Sequence, residues 1–158
     1  MTQGPLTHLD ASGQARMVDV SGKEVTARSA TATGTVLLSA KAIEALRAGD
    51  VPKGDALAVA RIAGIQGAKR TPDLIPLCHP IALHAVTVDL DVADHGVLIT
   101  CTARTADRTG VEMEALTGVS VAALALIDMI KAVDPAAVIT DVRVEAKTGG
   151  KSGSWHRP

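Results

Sequence analysis

The sequence predicts an α+β domain in which helices cover one face of an antiparallel sheet. Residues 25–38, 81–92, 97–105 and 138–146 alternate apolar and polar side chains with a period of two, which is typical of half-buried strands. Residues 110–133 instead have the apolar spacing of a long helix. With 158 residues, of which 47% are hydrophobic, the chain has enough material for one compact core.

Two further helices are predicted after the first strand. Ser39 stands where a helix N-cap belongs and Gly49 where a helix ends, which predicts a short helix between them. A second helix is predicted over residues 55–69. Gly64 and Gly67 within it indicate that another backbone packs closely against this helix.

The remaining segments carry turn and capping signals. X-Pro steps without periodicity predict a fixed loop over residues 70–80, and residues 93–96 predict a hairpin turn. Thr109, followed three residues later by Glu112, is a capping-box signature for the start of the long helix. Pro135 is expected to close that helix.

The predicted order β-α-α-β-β-α-β contains the split β-α-β arrangement of a ferredoxin-like sheet. One face of such a sheet is left uncovered, so we expect the protein to be oligomeric, with that face and the apolar helix buried by self-association. We divide the chain into a weakly ordered N-terminal arm (residues 1–24), one ferredoxin-like domain (residues 25–146) and a glycine-rich basic C-terminal tail (residues 147–158).

Composition excludes several classes of protein. Sixteen basic and 17 acidic residues give a net charge of -1, which argues against nucleic-acid and membrane-surface partners. Cys78 and Cys101 are too few for a disulfide framework. Residues 1–14 lack the features of a signal peptide, and the apolar segment 119–127 is shorter than a bilayer crossing. The expected location is the cytoplasm.

Two charged side chains interrupt the long apolar helix. Asp128 and Lys131 are the only charged residues between Glu114 and Asp134, and their spacing of three puts them on one helix face. Burying either charge alone would cost several kcal/mol, so they must pair or open onto a polar cleft. From these residues alone, a structural ion pair at the helix end and a chemical role are equal alternatives.

The segment KTGGKSG at residues 147–153 brings two lysines close together. It ends in Gly-Lys-Ser like a phosphate-binding P-loop, but position 145 is glutamate and no helix follows, so that pattern fails. A flexible anion-binding loop with Lys147 and Lys151 remains, as does a disordered tail. Crowded lysines favour one another's neutral form, and a neutral amine can act as a general base.

Two more segments are candidates for recognition. Leu77, Cys78 and His79 lie in an apolar loop bounded by prolines, where neighbouring side chains point in opposite directions and cannot easily form a nucleophile and base pair. Such a rigid loop suits recognition, although a lone histidine in apolar surroundings is more often part of the core.

At the start of the long helix, Glu112 and Glu114 flank Met113. Glu112 is assigned to the capping box, which leaves Glu114 free to accept from the amino and imino edge of a guanine-like ring. Lys53 and Arg28 are isolated charges, for which an exposed surface position is the simplest interpretation.

Five short segments form a pattern that is more specific than any one of them. They are RIAGIQGAKRT at 61–71, LIPLCHP at 74–80, GVEMEALT at 110–117, DMIKAVD at 128–134 and KTGGKSG at 147–153. Together they resemble the molybdenum cofactor biosynthesis protein C family of cyclic pyranopterin monophosphate synthases. The resemblance extends from about residue 6 to residue 153.

The resemblance implies a ferredoxin-like fold in a hexamer, a trimer of dimers, with active sites formed between subunits. It implies a lyase that rearranges a 3',8-cyclised dihydro-GTP into cyclic pyranopterin monophosphate and releases pyrophosphate. The sequence has no acidic cluster suited to a dedicated metal, so we expect no metal site and no cofactor, apart from Mg²⁺ that accompanies the triphosphate.

The resemblance also assigns roles to positions of this chain. It makes Asp128 and Lys131 the catalytic pair, with Lys53 as a further catalytic candidate. The substrate-contacting positions that it implies are Leu77, Cys78, His79, Glu112, Met113, Glu114, Arg28, Lys147 and Lys151. Departures from the family pattern, Ile130 for a frequent cysteine and Gly118 for a common alanine, touch none of these roles.

Two alternatives belong to other functional classes. One is a cysteine-dependent or metal-assisted hydrolase built on Cys78, His79 and Asp128. The other is a ring-forming nucleotide-binding protein that uses its lysines only to capture anions.

Overall fold

The structure is a computed structural model that describes residues 7–158. Five strands form one antiparallel sheet accompanied by four helices, so the α+β class is confirmed. The strands are β1 (Thr26–Leu37), β2 (Ala85–Ala93), β3 (Gly96–Asp107), β4 (Val138–Thr148) and β5 (Trp155–His156). The helices are α1 (Ala40–Ala48), α2 (Ala56–Lys69), α3 (Thr71–Leu74) and α4 (Glu112–Ile130).

The sheet has the strand order β2-β3-β1-β4-β5, and each neighbouring pair is antiparallel. The predicted hairpin joins β2 and β3 directly, whereas α1 and α2 connect β1 to β2 and α4 connects β3 to β4. The central strand β1 therefore pairs with two strands that follow it at very different distances along the chain.

Small side chains let the long helix lie close to the sheet. Ala30, Ala32 and Val36 of β1 are buried beneath α4, and alternate positions on the same strand are only partly buried. A Cβ atom added at Gly34 would lie 2.6 Å from Val119 Cγ1 of α4, closer than side chains normally approach. The period-two pattern of this strand thus corresponds to one face covered by helix.

The apolar helix α4 is a core element. By length and composition it is the one helix among residues 7–158 that could cross a membrane, but 56% of that stretch is buried against the sheet and α2. Its apolar character is accounted for by packing on the domain's own elements.

The predicted close approach at the glycines of α2 is confirmed. A Cβ atom at Gly64 would lie 2.9 Å from the carbonyl oxygen of Gly118 and 3.0 Å from Ala122 Cβ, both on α4. At Gly67 an added Cβ would lie 2.7 Å from Val121 Cβ. These glycines therefore set how closely α2 and α4 pack.

The substitution Gly64→Ala should lower the unfolding free energy by about 1–3 kcal/mol, because the added methyl group meets a backbone oxygen that cannot move independently. Urea denaturation would measure the change. Gly22→Ala is the matched control, since a Cβ atom there has nothing within 4 Å. Equal stability of the two variants would show that α2 and α4 separate at little cost.

Two local predictions were wrong. Residues 70–80 are not entirely irregular, because Thr71–Leu74 form the helical turn α3, in which Pro72 occupies a first-turn position that proline suits. The capping box is also absent. Val111 is the N-cap residue of α4 and no side chain caps the helix, while the Glu112 carboxylate lies 3.1 Å from Lys147 Nζ. The helix begins two residues later than a Thr109 cap would require, so Glu112 is its first residue and not the third that a capping box needs.

The long helix ends earlier than predicted. Its last residue is Ile130, and the backbone of Lys131 forms the C-cap by donating to the Ile127 carbonyl. After the helix, the Asp134 carboxylate accepts from the backbone N–H of Ser39 at 2.7 Å and of Ala136 at 3.0 Å. These bonds tie the end of α4 to the start of α1.

The chain outside residues 25–146 also has described structure. Residues 1–6 of the predicted arm lie outside the described residues; beyond them, Leu9 and Ala15 form an isolated antiparallel bridge. In the predicted tail, residues 155 and 156 form β5 along β4, a strand too short for sequence periodicity to indicate. The three-part division of the chain stays a prediction.

Candidate active site

The three predicted catalytic residues lie in one cluster. Asp128 is on the last turns of α4, with Lys131 one turn later, and the turn before α2 brings in Lys53. Lys131 Nζ lies 2.8 Å from Asp128 Oδ1, and Lys53 Nζ lies 3.1 Å from both carboxylate oxygens. The carboxylate thus bridges two amines that are 78 residues apart in sequence.

The position of Lys53 depends on the turn that carries it. Gly54 has a φ of 108°, a conformation that side chains disfavour, and Asp55 caps α2 by accepting from the Ala58 backbone N–H at 3.0 Å. Buried Val51 anchors the other side of the turn in the core. Local turn chemistry and one apolar anchor therefore hold Lys53 beside α4.

The cluster is open to solvent, with 45% to 56% of each side chain exposed. Exposed ion pairs contribute only about 0–1 kcal/mol to stability, which makes a purely structural role a weak explanation. Hydrogen bonds from Lys131 and Lys53 hold the pKa of Asp128 below its usual value. At neutral pH the cluster therefore presents an ionised carboxylate that is hydrogen-bonded to two amines.

A second group of predicted residues lines a cavity at the opposite end of α4. This α4 cavity has a volume of about 310 Å³. The predicted residues on its walls are Leu77, Cys78, His79, Glu112, Met113 and Glu114. Its other walls are Thr7, His8, Val18, Val20, Lys23, Ile81, Thr109 and Gly110, which include part of the predicted arm.

His79 ties the arm to this cavity. Its Nε2 atom forms a hydrogen bond with the carbonyl oxygen of Val18, and Arg108 Nε donates to the carbonyl oxygen of Lys23 at 3.0 Å. Burial, together with the charge of Glu114, raises the pKa of the Cys78 thiol. Cys78 is therefore a neutral thiol in the wall of the cavity and a poor nucleophile.

Glu114 is the buried acid of the α4 cavity, with only 3% of the residue exposed. Burial, assisted by the nearby charge of Glu112, raises its pKa from 4.5 to about 7. A ligand with N–H donors would favour the ionised carboxylate, so Glu114 can change its charge when such a ligand binds.

The unfolding free energy should fall as the pH rises from about 4.5 to about 7, and Glu114→Gln should remove this dependence. Across that range the folded chain keeps the Glu114 proton, whereas the unfolded chain has released it. The full difference corresponds to about 3 kcal/mol. Urea denaturation at several pH values measures it, with Glu44→Gln, exposed on α1, as control. The same slope in Glu114→Gln as in the unaltered chain would contradict the assignment.

The predicted cationic residues line two further cavities beside the α4 cavity. Arg28 borders both; Lys151 lines one of about 550 Å³ and Lys147 one of about 220 Å³. Arg28 Nε donates to the carbonyl oxygen of Asp107 at 3.1 Å, and Lys147 pairs with Glu112. These contacts hold both cations at one end of the neighbouring strands β1 and β4, next to the N-terminal end of α4.

Sequence analysis missed Lys23, which lines all three cavities. It lies in an irregular segment without a motif or periodicity, so only charge would have singled it out among the 16 basic residues. Its position adds a cation to the group formed by Arg28, Lys147 and Lys151.

The two groups of predicted residues do not meet within one chain. Asp128 follows Met113 by 15 residues on α4, and a helix rises about 1.5 Å per residue, so roughly 22 Å separate them along the axis. The cluster around Asp128 and the three cavities therefore occupy opposite ends of the same helix. No group of three His, Cys, Asp or Glu side chains suited to a metal ion occurs among residues 7–158.

Comparison with known proteins reveals close relatives. The sequence model of the MoaC family matches residues 17–150. A cyclic pyranopterin monophosphate synthase of Streptomyces coelicolor is 70% identical over 98% of this chain and 91% of its own length. The protein of that name from a Nocardioides species is 66% identical over 97% of this chain and 96% of its own length. A cyclic pyranopterin monophosphate synthase 2 of Mycobacterium tuberculosis is 57% identical over 98% of this chain.

Proposed function

This chain belongs to the MoaC family, and from that premise we propose that it forms cyclic pyranopterin monophosphate from a 3',8-cyclised dihydro-GTP with release of pyrophosphate. It would act as a lyase of molybdenum cofactor biosynthesis in the cytoplasm. The observation that carries the proposal is the solvent-exposed cluster in which Asp128 bridges Lys53 and Lys131.

The cluster suits the proton transfers of the rearrangement. Opening the five-membered ring of the purine and building a pyrazine require protons to be removed and returned several times. Asp128 is ionised and can accept a proton. Lys53 and Lys131 are hydrogen-bonded to it, so a substrate bound at the cluster would meet a carboxylate and two amines that can exchange protons with it. Asp128 also holds the two amines together, which limits the positions that they can occupy.

The cationic group suits the departure of pyrophosphate. An internal hydroxyl that attacks the phosphate next to the sugar builds negative charge on the leaving phosphates. Arg28, Lys147 and Lys151, with Lys23 beside them, supply positive charge at one end of strands β1 and β4. The adjoining α4 cavity offers Glu114 for the N–H edge of the base. We propose no protein-bound cofactor, with Mg²⁺ carried by the triphosphate.

Both halves of the site would be completed by a second copy of the chain. The roughly 22 Å between Met113 and Asp128 along α4 is too long for one chain to hold the base and supply the catalytic amines. Ile62 on α2 and Leu124 on α4 are 58% and 59% exposed, and such apolar side chains favour self-association. We therefore propose that α4 cavities and catalytic clusters of different subunits face each other, in a hexamer built as a trimer of dimers.

The fold is consistent with this assembly. The strand order β2-β3-β1-β4, with α2 and α4 packed together, supports assignment to the ferredoxin-like class, with β5 as an added edge strand. Partly exposed threonines of β1 lie on the side of the sheet away from α4. That side is available for a further contact between copies.

The direct test is incubation of the purified oligomer with the cyclised GTP intermediate. We expect stoichiometric release of pyrophosphate and formation of cyclic pyranopterin monophosphate, detected by mass spectrometry. A folded oligomer that releases no pyrophosphate would overturn the proposal.

The hydrolase alternative finds little support. A hydrolase built on Cys78, His79 and Asp128 would need Asp128 near the loop, but the loop residues line the far end of α4. The raised pKa of Cys78 also disfavours a thiolate nucleophile. Cys78→Ser distinguishes this class, because it should abolish a thiol-dependent hydrolase and leave the shape of the α4 cavity and proton transfer at Asp128 mostly intact.

A further inference from the structure

The segment after the glycine-rich loop is hydrogen-bonded to β4, on the side of β4 that faces away from β1. Strand β5 pairs antiparallel with β4, with Ala146 opposite His156 and Lys147 opposite Trp155. The backbone N–H of Arg157 donates to the carbonyl oxygen of Glu145 at 2.8 Å, which continues the pairing by one residue. The strand that carries Lys147 is therefore held from both sides, by β1 and by β5.

The Arg157 side chain adds contacts that a short edge strand would otherwise lack. Its Nε donates to the carbonyl oxygen of Val144 at 2.9 Å and lies 3.7 Å from Glu145 Oε2. The guanidinium carbon lies 5.8 Å from the centre of the Trp155 ring, within the range of a cation–π contact. Arg157 thus contacts the strand backbone, a carboxylate and the one aromatic residue of the chain.

Glu145 connects this edge to the centre of the sheet. The pairing of β4 with β1 skips Glu145, because Thr31 is opposite Ala146 and Ala32 is opposite Val144. The Glu145 carboxylate accepts from Thr33 Oγ1 and from Arg143 Nε, each at 2.7 Å. An irregularity in β4 therefore places an acid where Arg157 can reach it.

The loop between β4 and β5 carries Lys151. Gly149 and Gly150 have φ values of 90° and 74°, which other residues disfavour, and a Cβ atom at Gly149 would lie 3.1 Å from Arg28 Cα. The Gly153 N–H donates to the carbonyl oxygen of Gly150 at 3.2 Å. The loop is thus a closed hairpin against Arg28, and β5 fixes its second end.

We propose that Trp155 and Arg157 are positioning residues that hold the loop with Lys147 and Lys151 in the conformation that receives the phosphates. This inference rests on the proposed function and adds to it a role for a segment that lies beyond the glycine-rich motif. Without β5 the loop is attached at one end only, and the lysines spend a smaller fraction of time in the receptive arrangement. Apparent affinity falls in proportion to that fraction, whereas the chemistry at Asp128 is unchanged once substrate is bound.

The test compares steady-state kinetics of Arg157→Ala with those of the unaltered oligomer. The expected result is a KM about tenfold higher with kcat changed less than about twofold. Arg157→Lys, which restores the positive charge beside Glu145, should recover part of the loss. Arg47→Ala is the control, because it removes an arginine whose ion pair, 3.1 Å long with Asp94, lies away from the loop.

A second variant, a chain that ends at Ser154, removes β5 altogether, and calorimetry with pyrophosphate measures phosphate binding without turnover. The inference predicts that this variant binds pyrophosphate more weakly, whereas Arg47→Ala binds it with unchanged affinity. An unchanged KM in Arg157→Ala, or equal pyrophosphate affinity with and without β5, would overturn the inference. The proposed function would still stand in that case, provided that the unaltered chain turns over the substrate. Absence of turnover by the unaltered chain would instead count against the proposed function, and the pyrophosphate comparison would still decide on β5.

Discussion

Replacing Lys131 by alanine should lower kcat by about 10²- to 10⁴-fold while the substrate still binds, because a positioned acid or base typically contributes that much to a proton transfer. Lys131 Nζ lies 2.8 Å from Asp128, which itself is roughly 22 Å along α4 from Met113 at the α4 cavity of its own chain. Its loss removes an amine that contacts Asp128, while the cations proposed to bind the phosphates, Arg28, Lys147 and Lys151, stay in place. Rapid-quench measurement of pyrophosphate, together with calorimetric binding of the substrate, separates the two effects.

Lys41→Ala is the control for this experiment, since it removes an exposed lysine of α1 that contacts none of the three cavities. It should leave both kcat and affinity unchanged. If Lys131→Ala instead weakened binding by the amount expected for one lost charge and left the chemistry of bound substrate intact, a nucleotide-binding protein would be the better description.

Mixed oligomers of two inactive variants should regain roughly a quarter of the unaltered activity. The first variant, Lys131→Ala, has intact phosphate-binding cations, and the second, Lys147→Ala, has an intact cluster around Asp128. If each site combines the two groups from different subunits, half of randomly formed pairs are mixed and one of the two sites in each mixed pair is complete. We expect each variant alone to be impaired by about 10²-fold or more.

Coexpression with two different affinity tags, followed by purification on both, gives the mixed oligomers for the assay. Their activity should exceed that of either variant purified alone. As control, a variant that carries both substitutions, coexpressed with Lys131→Ala, should recover nothing, because no subunit then has an intact Lys131. Verified mixed oligomers that stay inactive would mean that base, phosphates and catalytic amines belong to one chain.

The loop at residues 74–80 illustrates how local sequence can indicate the wall of a cavity. LIPLCHP predicted a rigid recognition element, and Leu77, Cys78 and His79 do line the α4 cavity. The partner that His79 uses, the carbonyl oxygen of Val18, could not be predicted because it lies 61 residues away in a segment without periodicity. The sequence thus indicated the residues of this wall and left its construction open.

The cluster of Lys53, Asp128 and Lys131 shows which contacts local sequence cannot indicate. The spacing of Asp128 and Lys131 determines that they share a helix face, because helical geometry is local. Lys53 read by itself was only an isolated charge, and its contact with Asp128 arises from the packing of α2 against α4. A contact between residues 75 positions apart is decided by tertiary packing, which no local pattern encodes.

By itself, then, the sequence determined the α+β class, the Ser39 cap of α1 and the glycines between α2 and α4. These features depend on periodicity, backbone conformation and side-chain size, which neighbouring residues largely determine. Tertiary structure alone decided that Glu112 pairs with Lys147 instead of capping α4, and that β5 closes the glycine-rich loop. The partner of Glu112 is 35 residues away in sequence, and β5 is too short for periodicity to indicate, so each contact depends on which groups the folded chain brings within a few ångströms.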